Sequence, residues 1–383
     1  MDQKNMEKKE IVKQLLKRIH EGEAFEELNK EFSHILSQLT PFEIVTIEQE
    51  LVREGVPVNE ILKMCDIHLN LFKNALASRE LKGVPRGHPL DLFIAENDEI
   101  LKTSEALSLY SGVLARALKE GDTAEASKAL TSVKSIISVV KTQLRSHYRK
   151  NQMVLFPYLE RRGVTAIPRV LWGREDQVIV KIRELITLLD KALQNPLGEE
   201  SVKVSEAIAQ LSRDIADLVF RENKILYPTL WILLSEDEWS AVDKEARRLG
   251  YLVMRERSEY LPSETPKYPY QVVSGITPDQ ADKLPEELKG VVGSASFPPD
   301  DYVVSREGDL EFETGFLSRE EVEAIFKALP IEITYADTNN RVRFFSESNV
   351  SGGFPRLKPL LDAGLNTAIL QGLSSMLREM LKR

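Results

Sequence analysis

Cysteine is almost absent from this sequence. Cys65 is the only one in 383 residues. A single thiol excludes an internal disulfide and points to a reducing, cytoplasmic setting. Histidine is scarce too, with five in the chain, which limits any metal centre built from imidazoles. No run approaches the roughly eighteen apolar residues that a membrane span requires, so no membrane contact is expected. The opening MDQKNMEKKE is too polar for a secretory signal. Basic residues are not in excess: the net charge is -9, which argues against a nucleic-acid partner. ESNVSGGF lacks the framing of a phosphate loop, and Gly-x-Ser-x-Gly does not occur. With so few histidines, no Ser-His-Asp set suggests itself, and an enzyme is not the expected reading.

What is present is an ordinary globular mix, 42% hydrophobic and 29% charged. The length suggests about two to four domains. Residues 1–82 read as a small domain of short helices. Ile11, Leu15, Leu16 and Ile19 fall on one helical face, and Thr40-Pro41 is a helix start. LKGVPRGHP then breaks the pattern.

Residues 85–249 contain four long amphipathic segments, at about Leu90–Lys119, Thr123–Arg162, Arg174–Asn195 and Ser201–Leu234. Their connections are short and marked by Gly121, Gly163 and Pro196, so the economical arrangement is an up-down-up-down four-helix bundle. A short helix, SEDEWSAVDKEARRLG, follows. Trp172, Trp231 and Trp239 read as anchors at the bundle ends.

Residues 250–310 form a Pro-, Ser- and acid-rich linker whose Tyr and Val residues imply docking somewhere. In the segment 311–383, SREEVEAIFKAL carries a capping box, and IEITYAD and RVRFF are period-two segments joined by Thr-Asn-Asn, a hairpin signal. The tail is amphipathic, with Leu361, Leu365, Ile369, Leu373, Met376 and Met380 on one stripe. A stripe of that width calls for a protein partner or a second copy of the chain. The fold class expected is therefore mainly α, with a small α+β unit at the C-terminus.

One repeat stands out inside the bundle. KNQMVLFP (150–157) matches RENKILYP (221–228). Aligned on the prolines, Phe156 meets Tyr227, Leu155 meets Leu226, Asn151 meets Glu222 and His147 meets Leu218. The last two pairs are four residues apart along each helix and share a face. His and carboxylate at that spacing on a core-facing side would suit a metal. Each copy keeps half of such a set: His147 in one, Glu222 in the other. The plainer reading is core packing with a kink near the helix end. Cys65 and His68 also lie three apart, but two ligands do not make a site.

These residues carry a family likeness. GHPLDLFIAEND, His147 with LFPYLE downstream, PRVLWGREDQVI and ENKILYP resemble, in order and spacing, the hemerythrin-like (HHE cation-binding) domains over about 85–245. KRIHEGEAFEELNKEF and the segment to Phe72 resemble a domain-of-unknown-function family, DUF438. ALPIEITYADTNNRVRFFSES resembles the opening strands of a PAS-like sensor domain, though too little chain follows for a complete one.

The hemerythrin resemblance implies two non-heme irons held by His and carboxylates. On this chain His147 and Glu222 match ligand positions, and His88 and Glu96 match motif positions. Glu175 stands where the third helix usually offers His, Asn151 where Glu is usual, and Leu218 where His is usual. A dinuclear centre takes about five to seven protein donors. The expectation is therefore against diiron. A single iron, manganese or zinc ion on His147, Glu222, Glu175 and Glu96, or an empty site in which His147 hydrogen-bonds a carboxylate, remains open. Two functions follow: a sensor or signalling adaptor with a degenerate metal site, or a metal-dependent redox protein handling oxygen, nitric oxide or iron.

Overall fold

The computed structural model describes residues 81–253, 259–283 and 302–346, apart from positions 332 and 340, with a few isolated positions elsewhere. Cys65, His68 and the tail stripe beyond Leu361 lie outside the described residues. The chain divides into two compact units, 1–301 and 302–383.

In the first unit α1 (Pro89–Glu120), α2 (Thr123–Lys150), α4 (Ala166–Ala192) and α5 (Glu199–Arg221) form the expected bundle. α1 packs on α2 and α5, and α4 packs on the same two, so each helix neighbours the next in sequence and the last closes on the first. The ends are locally encoded. α1 begins with Pro89, where a missing N–H costs nothing, and stops at Gly121, whose φ of 73° suits glycine. Asp122 then caps α2 by accepting from Glu125 N–H at 2.9 Å.

The third helix starts eight residues before the expected Arg174. PRVLWG, part of the segment that resembles the start of the family's third helix, is helical, and Pro168 sits in the first turn, where an N–H would have no helix partner anyway. α1 and α5 are bound along a seam of reciprocal serine bonds. Ser104 Oγ donates to Ser212 O at 3.2 Å and Ser212 Oγ to Ser104 O at 3.1 Å. Seven residues along, Ser111 and Ser205 repeat the exchange at 2.8 and 3.1 Å. Antiparallel helices can approach this closely because the side chains between them are small.

The repeat is present in three dimensions, and its kink has a specific form. Each copy contains one turn of π-helix, Asn151–Leu155 and Glu222–Leu226. Phe156 N–H donates to Asn151 O and Tyr227 N–H to Glu222 O, five residues back. The proline that follows has no N–H to offer the ladder. The widened turn lets each helix restart, as α3 (Phe156–Glu160) and α6 (Tyr227–Leu233), with proline in a tolerated first-turn position. Leu155, Phe156, Leu226 and Tyr227 are all completely buried, as the repeat implies.

α7 (Glu236–Leu249) opens on a Ser235–Glu238 capping box. The same Glu238 receives Arg162 Nη2 at 2.7 and 2.9 Å. Residues 259–283, which include α8 (Pro278–Lys283), run along this end of the bundle. Tyr158 Oη donates to Lys267 O at 2.8 Å, Lys267 N–H to Asp237 O at 2.9 Å, and Gln280 Nε2 to Leu233 O at 2.7 Å. Tyr260 is buried there. The composition of a linker thus accompanies a docked segment. Of the tryptophans, Trp239 is buried, Trp231 packs against it, and Trp172 is half-exposed beside Phe156.

The second unit holds, among the described residues, two separate two-stranded antiparallel sheets, β1 (Leu310–Phe312) with β2 (Gly315–Leu317) and β3 (Thr334–Ala336) with β4 (Val342–Phe345). The second is the hairpin expected from Thr-Asn-Asn, with an irregularity at Tyr335/Ala336. α9 (Arg319–Ala328) carries the Ser318–Glu321 capping box, and Phe326 packs on Phe344 with ring centroids 4.7 Å apart.

Candidate functional site

Four of the five sequence candidates converge in the bundle core, and one does not. Glu96 from α1, His147 from α2, Glu175 from α4 and Glu222 from the second π turn are all fully buried. His147 is the hub. Its Nδ1 lies 2.7 Å from Glu96 Oε2 and its Nε2 2.8 Å from Glu222 Oε2. Asn151 Nδ2 lies between the other two carboxylates, donating to Glu175 Oε1 at 3.2 Å and Glu222 Oε1 at 3.1 Å. Gln152 Nε2 holds Glu175 Oε2 at 2.6 Å. Tyr227 Oη donates to Glu222 Oε2 at 3.3 Å and itself accepts from Asn97 Nδ2 at 3.3 Å.

The fifth candidate, His88, lies elsewhere. It is the N-cap of α1, its Nδ1 accepting from Leu90 N–H at 3.1 Å. Eight residues of helix separate it from Glu96, about 12 Å of axial rise. Its ring sits edge-on among Trp231, Trp239 and Tyr260. Burial, only partly offset by Asp91, lowers its pKa to about 4, so it is a neutral capping imidazole.

One participant has no sequence signal beyond its place on the same helix face as His147. Lys150 is fully buried, and its Nζ lies 3.0 Å from Glu96 Oε1. The network thus pairs two carboxylates, Glu96 and Glu222, with two cations, His147 and Lys150. Burial by itself would pull the His147 pKa down. The charge of Glu222 and the hydrogen bonds to Glu222 and Glu96 outweigh it and push it up to about 10. With both ring nitrogens facing carboxylate oxygens, His147 is an imidazolium donating in both directions. Burial works to raise the Glu96 pKa, but His147, Lys150 and the Leu252 N–H hold the carboxyl below the usual range. Glu175 goes the other way. Burial and the nearby Glu222 push it up to about 8, against the amide donors and His147. At neutral pH it is mostly protonated, and the buried charges then cancel.

Residues 88–230 match the hemerythrin HHE cation binding domain. Residues 12–78 match DUF438, a family of unknown function. No curated protein matches the chain. Neither family match reaches the C-terminal unit, and the PAS-like resemblance rests on sequence alone. The hemerythrin match brings with it the expectation of a bound cation, and the donor set can be tested against it.

A dinuclear centre does not fit. Three carboxylates and one imidazole fall short of the six-residue pattern of ferritin-like sites. Asn151 turns its amide NH₂ toward the carboxylates, and Leu218 brings no donor. A single ion would use the residues at hand, but these are engaged with one another. A metal takes a neutral imidazole with a free lone pair, whereas here both ring nitrogens of His147 face carboxylate oxygens and Lys150 Nζ lies 3.0 Å from Glu96. Among the described residues, no group of three or more His, Cys, Asp and Glu is arranged to hold a metal ion. The hemerythrin-like core is, in this geometry, a closed ionic network.

Proposed function

We propose that this chain is a sensor or signalling adaptor in which the hemerythrin-like bundle keeps the fold of a metal site in degenerate form. The observation that supports this most is His147 held between Glu96 and Glu222, with Lys150 beside Glu96. Such a core needs no metal to satisfy its charges. In the same reading the C-terminal unit is PAS-like, and the tail stripe pairs with a protein partner or a second copy of the chain, in the cytoplasm.

The second reading, a metal-dependent redox protein, is favoured by one fact: three buried carboxylates around an imidazole are a hard, oxygen-rich donor set, suited to one iron, manganese or zinc ion. Elemental analysis separates the two. Protein purified without added metal should carry well under 0.1 equivalents (about the level of adventitious binding) of iron, manganese or zinc. Added divalent metal should not raise the thermal midpoint. Two irons per chain, lost in His147→Ala and in Glu222→Gln, would overturn the proposal. One ion per chain, lost in both variants, would establish the second reading.

A further inference from the structure

Glu96 belongs to two structures at once. Its Oε2 accepts from His147 Nδ1 at 2.7 Å, inside the network. Its Oε1 accepts from the backbone N–H of Leu252 at 2.7 Å and from Lys150 Nζ at 3.0 Å. Lys150 donates in turn to Gly250 O at 2.7 Å. Between these anchors the Tyr251 ring stands edge-on to Phe93, 5.8 Å between centroids, with Lys150 Nζ 5.6 Å from its centre. Phe93 also packs on His147. Gly250–Leu252, which leaves the end of α7, is therefore fastened by two side chains that are themselves part of the buried network.

We propose that Gly250–Leu252 is a strap whose closure reports the state of the Glu222–His147–Glu96 chain. This rests on the sensing reading above and names how the bundle site is read out. The two oxygens of Glu96 belong to one rigid carboxylate. A change that turns Oε2 toward a new partner also moves Oε1 away from the Leu252 N–H. Gly250 O and Leu252 N–H then lose their buried side-chain partners; Gly250 is exposed and Leu252 half-buried, so water takes the place of those partners once the segment lifts. The segment regains partners by opening to water, so it has two arrangements, fastened and released. The strap lies on the stretch of chain that leads, in sequence, from the bundle to residue 302 and beyond.

Hydrogen exchange on the full chain tests this. Glu222→Gln and Tyr227→Phe alter the far end of the network and touch neither Gly250 nor Leu252. Lys150→Met removes an anchor directly. The Leu252 amide should exchange at least about tenfold faster in Lys150→Met and about threefold or more in both remote variants. The Leu144 amide, one turn before His147 in α2, should keep its protection. Wild-type exchange at Leu252 in both remote variants would overturn the strap, whatever Lys150→Met does. An equal rise at Leu252 and Leu144 would show general loosening of the bundle and would overturn it as well. Should Glu222→Gln fail to fold, Tyr227→Phe alone decides. Metal content of the same samples tests the sensing reading separately: the strap can fail with the protein metal-free, and metal can be found with the strap coupling intact.

Discussion

His147→Ala is expected to destabilise the bundle by about 3–5 kcal/mol, read as a shift of the urea midpoint at neutral pH. Surface ion pairs contribute little because water already satisfies both partners. His147 is the opposite case, because both of its carboxylate partners are fully buried. Removing the imidazolium leaves Glu222 with only Asn151 and Tyr227 as donors. Glu96 is left with Lys150 and one backbone N–H. Breaking one member of a buried pair costs more than the pair was worth, since the remaining charge keeps its desolvation penalty. The void left by the ring adds to the loss. Lys134 and Asp190, an exposed pair on the same bundle, provide the control: Lys134→Ala should cost under about 1 kcal/mol. A His147→Ala loss as small as that of the control would mean the network is not part of what holds the core.

The second large effect is on pH. The metal-free protein should lose stability steadily from about pH 6.5 to about 10, most steeply between about 6.5 and 8. The sign follows from which state binds more protons. His147 has its pKa raised to about 10, so its stabilisation is complete below the ordinary histidine value and is lost as pH rises toward 10. Glu175 is raised to about 8, so the folded state holds a proton that the unfolded chain releases from about pH 4.5 upward. Between about pH 4.5 and 6.5 that loss is opposed by His88, whose lowered pKa favours folding as pH rises. The curve should therefore be nearly flat there. Each proton of difference is worth about 1.4 kcal/mol per pH unit, so where His147 and Glu175 act together the slope approaches twice that figure. Below about pH 4.5, protonation of Glu96, whose carboxyl is held low, removes stability again. Thermal midpoints from circular dichroism across pH 5 to 9.5 provide the check. His147→Gln should flatten the alkaline limb. A midpoint that rises between pH 6.5 and 8 would reverse the assigned direction.

Much of the bundle was legible in the sequence because its cues are local. Periodic apolar residues give the helices, Gly121 and Asp122 mark one junction, and the paired Leu-aromatic-Pro runs give the internal symmetry. That symmetry sets Asn151 level with Glu222, and in the structure Asn151 Nδ2 donates to Glu222 Oε1 at 3.1 Å. Glu96 and Glu175 converge because each faces inward on its own helix. What the sequence did not display is non-local or geometrical. Lys150 reads as a surface lysine at the end of a helix, since its partners, Glu96 and the backbone at Gly250, lie far away in the chain. The π turns follow from prolines that also permit a simple kink. The Ser104–Ser212 and Ser111–Ser205 seam looks like scattered small polar residues until the register of α1 on α5 is known. His88 shares a motif with Glu96, but its role as N-cap leaves it about two helical turns from the cluster. The Tyr and Val residues of 250–310 implied docking but not its place, because the contacts of residues 259–283 run largely through backbone groups.

The central claim is that the hemerythrin-like core is closed by an imidazolium between two carboxylates. The most direct test is ¹⁵N NMR of the His147 ring at pH 7 in protein purified without added metal. The account predicts protons on both Nδ1 and Nε2, in slow exchange with water, and no titration of this ring until pH approaches 10. A neutral ring with one unprotonated nitrogen, a metal-shifted or broadened signal, or a titration midpoint near the ordinary histidine value of about 6.5 would contradict it.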